Sequence, residues 1–191
     1  MDGGQINSIK LFCMVLTVNE QITLELLDTT HTQPIFELVS ENRNYLREWL
    51  PWVDNMQSAE FIHNFIKGSI HRNKDELEFA FVVKYNKNIV GRIGVYKIDK
   101  QNKIGEIGYW IDQKLQGLGI VVKSCKTLIN FCFDILHLNR IELRCGTGNK
   151  KSQSVPEKLN FHFEGVLRQA ELVRGKFIDL NIYSLIKSDA L

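Results

Sequence analysis

The chain has 191 residues, 44% of them hydrophobic and 24% charged, with a formal net charge of +2. That length suits one well-buried core and is short for two; so small a charge argues neither for nor against nucleic acid, and no direct nucleic-acid partner is expected. The apolar stretch IKLFCMVLTV near the start is too short to span a bilayer and lacks the flanks of a signal peptide, so part of a folded body, a cytoplasmic location and no membrane partner are expected.

In chain order, ITLELL (Ile22 to Leu27) alternates and predicts a strand. THTQPIFELVSENRNYLREWLPW opens on helix-start signals at Thr30, Thr32 and Pro34. It predicts two short helices broken near Ser40, with Pro51 ending the second. Ser58 begins a third, on which Phe61, Ile62, Phe65, Ile66 and Ile70 share one apolar face. From Glu78 the texture changes: EFAFVVKY, NIVGRIGVYKI and KIGEIGYWI predict an antiparallel meander joined by tight turns at NKN and DKQN. A long helix follows the glycines of QGLGI, then the strand NRIELRC and a short helix in SQSVPEKL. FEGVLRQAEL and KFIDLNIYSLI flank VRG, the pattern of a closing hairpin. No linker, repeat or low-complexity run interrupts this order, so one mixed α+β domain over residues 1–191 is expected.

The cysteines, Cys13, Cys125, Cys132 and Cys145, form no C-x-x-C pair and the histidines no metal-ligating spacing, so free thiols and no metal are expected. Cys125 and Cys132 lie seven apart and so share a face of the long helix.

Gln116-Gly117-Leu118-Gly119-Ile120 stands between a strand and a helix start. A helix start presents free N–H groups and the positive end of the helix dipole, and glycines let a phosphate approach that backbone. Lys114, Lys123 and Lys126 surround it, where lysine is ordinarily disfavoured unless an anion binds. Close strand–helix packing is the bland alternative for a lone G-x-G. The loop is no dinucleotide fingerprint, since Val122 holds the third glycine slot, and no Gly-Lys-Ser/Thr phosphate loop occurs. An anion site that is neither leaves coenzyme A as a strong candidate, because its pyrophosphate needs the same kind of cradle.

The run from KIGEIGYWI through QGLGI, LHLNRIELRCGTGNKKS, PEKLNFHFEGVLRQAEL and DLNIYSLI resembles the GNAT acyltransferase superfamily, and within it the ribosomal-protein N-terminal acetyltransferase (RimJ/RimL-like) group, from about Leu16 to Lys187. Four positions depart from the pattern: Lys123 stands where an acidic residue is common, Asn160 replaces the glycine of Leu-Gly-Phe, Glu25 an arginine, and Lys114 the Gln/Arg of Q/R-x-x-G-x-G/A.

The resemblance implies a mostly antiparallel mixed sheet flanked by helices. Its fourth strand, EIGYWI, would carry a bulge and splay from the fifth, RIELRC, to admit pantetheine. It implies acetyl-CoA as cosubstrate and direct acetyl transfer to an amine. Backbone groups at Tyr109, Trp110 and Ile111 would hold pantetheine and aim an N–H at the thioester oxygen, in the manner of an oxyanion hole. Asn149 would also bind pantetheine, Ser152 would meet the departing sulfur, and Glu171 would be the general base. The residues alone leave blander roles open: core packing for the Tyr109 and Trp110 side chains, a helix cap for Ser152, and a surface charge for Glu171. The expected acceptor is the N-terminal α-amine of a protein, a ribosomal one foremost. The alternatives are a small amine (polyamine, amino sugar or antibiotic), or a weakly catalytic CoA-binding regulator. A homodimer through the closing hairpin is implied as well.

Overall fold

A computed structural model describes residues 14–190; Cys13 lies outside them. One eight-stranded sheet runs through the molecule in the order β1-β2-β3-β4-β5-β6-β8-β7. Its strands are β1 (Val15–Thr17), β2 (Ile22–Leu26), β3 (Phe79–Tyr85), β4 (Asn88–Asp99), β5 (Ile104–Ile111), β6 (Arg140–Gly146), β7 (His162–Val173) and β8 (Lys176–Ile186). β1 was not foreseen as a strand; it pairs with β2 and makes EIGYWI and RIELRC the fifth and sixth strands. The turns behave as their residues dictate. Asn86 and Lys87 join β3 to β4, and Arg174 and Gly175 join β7 to β8, all four at positive φ, as two-residue hairpin loops require.

Alternation along the strands sends apolar side chains to both faces. On one face, α4 (Ile120–Asn130) and α5 (Lys150–Lys158) cover a core that includes Phe79, Phe81, Ile93, Ile107, Leu128 and Ile141. On the other, α1 (Thr32–Glu41), α2 (Arg43–Leu46) and α3 (Ala59–Lys74) enclose Ile35, Val39, Leu46, Ile62, Ile66 and Val82. Ser58 caps α3 as expected, accepting the Phe61 N–H at 3.3 Å, but Phe61 itself is exposed. α4 runs on into a π-helical stretch, Phe131–Ile135, and both Cys125 and Cys132 are buried on this long helix. Asn160 sits at φ +58°, so it takes the left-handed conformation of the glycine it replaces, which asparagine tolerates better than most residues.

Every adjacent pair is antiparallel except β5 and β6, which run parallel. Their pairing stops at Ile107 and Leu143, although β5 continues to Ile111 and β6 to Gly146. The strand ends therefore diverge and open the sheet, as expected. The bulge expected within EIGYWI is not there. That segment pairs with β4 without interruption, and the register shift falls on β4 beyond Tyr96, beside Lys97 at φ +51°.

β4 and β5 approach closely at Gly91, where a Cβ would come within 2.3 Å of the Trp110 carbonyl oxygen. Gly91→Ala is expected to destabilise the fold by about 1–3 kcal/mol, the usual penalty of overpacking. Thermal unfolding should show a Tm lower by several degrees; an unchanged Tm would mean that the strands separate there at no cost.

Candidate active site

The divergence of β5 and β6 opens a cavity of about 690 Å³. One wall is Gly108, Tyr109, Trp110 and Ile111; the facing wall is Arg144, Cys145 and Gly146. The glycine loop closes one end with Gln116, Gly117, Gly119 and Ile120, and α5 contributes Asn149, Lys151, Ser152, Val155 and Lys158. Ten of the eleven residues named from the sequence line this space; Leu118 does not, and its side chain is exposed.

The glycine loop has the conformation its sequence requires. Gly117 and Gly119 stand at φ +82° and +73°, and a Cβ on either would meet nothing within 4 Å, so these glycines serve backbone conformation and approach from outside rather than packing. Gly119 is the N-cap of α4. The Lys123 N–H bonds to the Gly119 carbonyl at 3.0 Å, leaving the amides of the first turn directed out of the helix end toward an anion. Across the opening, the Lys151 ammonium donates to Gln116 Oε1 at 2.7 Å.

Asn149, rather than Ser152, caps α5: Asn149 Oδ1 accepts the Ser152 N–H at 3.1 Å. This overturns the helix-cap reading of Ser152 and leaves its hydroxyl free for other bonds. The hydroxyl lies 3.1 Å from the Tyr109 hydroxyl, which donates to the Ser152 carbonyl at 3.0 Å. Tyr109 is therefore more than a packing residue. Its side chain packs toward α4 and α5, whereas Trp110 turns to the opposite core, its ring tilted against that of Trp52 with centroids 6.2 Å apart. Burial pushes the Tyr109 phenol well above its ordinary value, and the Cys145 thiol to about 11, with the Ser152 hydroxyl pulling the latter down in part.

Glu171 lines the cavity next to an irregular stretch of β7. Leu167 pairs with Leu180 and Glu171 with Ile178, so the bulged strand has two residues more than its partner. Gln169, in the bulge, sits at φ +48° and its N–H is held by Asp179 Oδ1 at 2.8 Å. Glu171 is partly buried there, with its carboxyl pushed above the ordinary range chiefly by desolvation and also by the charge of Glu106, against a smaller opposing pull from Lys97. Glu106 is engaged by two cations, Lys97 at 3.0 Å and Arg144 at 3.5 Å. Of the two cavity carboxylates, Glu171 is thus the one placed to accept a proton.

Several cavity residues were not foreseen: Tyr45, Trp49, Trp52, Lys97, Glu106 and Arg144. The aromatic cluster in YLREWLPW and the period-two link between Glu106 and Trp110 were the available signals. Trp49 fits because Gly146 and Gly148 carry no side chain; a Cβ at either would meet its ring at 3.2 Å. Gly146→Leu is therefore expected to push the Trp49 ring aside and to destabilise the fold by about 1–3 kcal/mol, the usual penalty of overpacking. Thermal unfolding tests this, and an unchanged Tm would contradict it.

Outside the cavity, Glu25, Asp28 and His31 bring possible metal-ligating atoms within 4.8 Å of one another. The geometry is that of a helix cap: His31 Nδ1 accepts the Asp28 N–H at 3.0 Å, and Glu25 is ion-paired with Lys84. No helix among the described residues is long and apolar enough to cross a membrane.

Residues 21–162 match the family described as acetyltransferase (GNAT) domain. The Bacillus subtilis (strain 168) protein YdaF is 35% identical over 173 residues, covering 90% of this chain and 94% of its own. Two solved structures are similar throughout. One is the microcin C7 self-immunity acetyltransferase MccE in complex with acetyl-CoA and AMP, 30% identical with a TM-score of 0.88, covering 94% of this chain and 99% of that one. The other is RimL, the ribosomal L7/L12 alpha-N-protein acetyltransferase, in complex with coenzyme A, 26% identical with a TM-score of 0.89, covering 93% and 100%.

Proposed function

The chain belongs to the GNAT acetyltransferase family and is an acetyl-CoA-dependent N-acetyltransferase; from that premise we propose that its acceptor is the N-terminal α-amine of a protein, foremost a ribosomal protein, in the cytoplasm. The residues fit the cosubstrate: the open positive-φ glycines and outward amides suit its diphosphate, and the gap between β5 and β6 suits pantetheine. Glu171 takes the proton from the attacking amine. Backbone groups of Tyr109, Trp110 and Ile111, together with Asn149, hold the pantetheine arm. The Ser152 hydroxyl donates a hydrogen bond to the departing sulfur, whose thiol needs little assistance at an ordinary pKa near 8.5.

The observation that carries the α-amine reading is Glu171, which lines the cavity beside the β7 bulge and is raised in pKa. An α-amine has a pKa near 8 and a lysine near 10.4, so presenting the neutral nucleophile at pH 7 costs about 3 kcal/mol less for the α-amine. One carboxylate suffices more readily for that task. A polycation such as a polyamine would favour an acidic groove. Here Glu106 is neutralised by Lys97 and Arg144, which does not favour that acceptor. The name of RimL, an α-N-protein acetyltransferase, supports the same reading.

Competition among acceptors tests it: an unblocked peptide, the same peptide α-blocked but bearing lysine, and spermidine, each with acetyl-CoA. The unblocked peptide is expected to be acetylated fastest by at least tenfold. Preference for spermidine or lysine would replace the proposal.

The whole chain is proposed to work as one domain and to pair with a second copy through the closing hairpin. β7 lies at the sheet edge, and Phe163, Val166, Leu172 and Phe177 are exposed on β7 and β8. Sedimentation of the parent should show a dimer, and Phe177→Lys a monomer; a monomeric parent would refute the pairing.

A further inference from the structure

β5 and β6 part at the cavity, and the gap is bridged on the α5 side by side chains. Tyr109 from β5 places its hydroxyl 3.0 Å from the Ser152 carbonyl oxygen and 3.1 Å from Ser152 Oγ. The Ser152 N–H is already held by Asn149 Oδ1 at 3.1 Å. Ser152 is thereby fixed at its amide by its own helix cap, and at its carbonyl and hydroxyl by one tyrosine from the opposite wall. Cys145 from β6 lines the same space, and alternation puts it on the same side of the sheet as Tyr109.

We infer that Tyr109 is a positioning residue for the acetyl transfer, holding Ser152 in place and donating to its hydroxyl as negative charge develops on the departing sulfur. This rests on the reading of Ser152 as hydrogen-bond donor to that sulfur. The reacting bonds balance without further groups. The amine nitrogen forms a bond to the thioester carbonyl carbon and loses its proton to Glu171. The carbon–sulfur bond breaks with its electron pair on sulfur, and the thiolate leaves with a hydrogen bond from Ser152. Before the bond breaks, the Tyr109 proton lies toward the Ser152 carbonyl. Because both oxygens of Ser152 are nearly equidistant from the phenol, a small turn of one O–H moves that proton to Oγ. The result is a chain, Tyr109 O–H to Ser152 O–H to sulfur, in which each bond strengthens the next.

The neighbouring groups suit that task. Burial holds the phenol proton on Tyr109 well beyond neutral pH, so it remains a donor throughout the working range. The Cys145 thiol, at about 11, stays neutral and adds no competing negative charge beside the sulfur.

A double-mutant cycle tests the inference. Tyr109→Phe removes one hydroxyl and keeps the ring. It is expected to lower kcat with a peptide acceptor by roughly tenfold, the scale of one hydrogen bond, with KM for acetyl-CoA within about twofold. Ser152→Ala alone is expected to slow turnover by at least as much. In the Ser152→Ala background, Tyr109→Phe should then cost less than about twofold, since its partner is gone. A tyrosine acting only on packing would instead slow both backgrounds equally, and that result would overturn the inference while leaving Ser152 in its role. Parental turnover in Ser152→Ala would overturn the reading of Ser152 and this inference with it. Parental turnover in Tyr109→Phe would overturn the inference alone. Should Tyr109→Phe not fold, 3-fluorotyrosine at position 109 keeps the shape and strengthens the donor. Single-turnover rates should then rise measurably, and an unchanged rate would count against the role.

Discussion

Glu171→Gln is expected to lower kcat/KM for an α-amine peptide by roughly 10²–10⁴, the usual contribution of a general base. The substitution keeps the shape of the side chain and the β7 bulge beside it, and removes only the proton acceptor. In the parent, the carboxyl sits above its ordinary range because burial and Glu106 disfavour the charged form. The active base is the ionised form, so kcat/KM should climb as pH rises through this raised value, later than for an exposed glutamate. A second rise follows as the substrate amine itself loses its proton, near pH 8. In the glutamine variant the first rise should vanish and the second remain, so the deficit narrows as pH increases. Affinity for acetyl-CoA should change little. Parental rates across the whole range would return Glu171 to a surface charge.

Gly119→Val is expected to weaken coenzyme A binding by roughly 10–100-fold or more, since a hydrogen bond to a charged group is worth about 1.5–3 kcal/mol and at least one outward amide would be lost or misaligned. Gly119 holds φ +73°, which a β-branched residue adopts only under strain. Any relaxation would re-aim the first turn of α4, and the added methyls would stand in the open space through which a phosphate must approach. An added Cβ would meet no other part of the protein within 4 Å, so the core is untouched and circular dichroism should match the parent. Calorimetric titration with coenzyme A reads the loss. A folded variant with parental affinity would place the anion cradle elsewhere.

Much of the fold was legible because it depends on local patterns. Period-two strands, the turns at Asn86-Lys87 and Arg174-Gly175, and Ser58 as a cap are each set by a few adjacent residues. The glycine loop was equally plain, since Gly117 and Gly119 signal positive φ by type alone. What stayed hidden depends on the partner strand. The bulge beside Glu171 spans Arg168–Ala170, with no glycine to mark it, and it shows only against the register of β8. By itself RQAEL reads as an exposed edge strand, which β7 otherwise is. The bond between Tyr109 and Ser152 spans 43 positions and exists only because β5 and β6 part. Ser152 is open to the cap reading because SQSVPEKL places the helix start at that serine; the helix begins at Lys150, which makes Asn149 the cap. Trp49 was missed for a like reason: its place is created by the bare backbones of Gly146 and Gly148.

Intact-mass analysis of purified ribosomal proteins incubated with the enzyme and acetyl-CoA tests the central claim most directly. The predicted result is the addition of a single acetyl group to one or a few proteins, mapped by fragmentation to the first residue, and absent when Glu171→Gln replaces the parent at neutral pH. Acetylation confined to lysine side chains, or no acetylation of any protein while a small amine turns over rapidly, would contradict it.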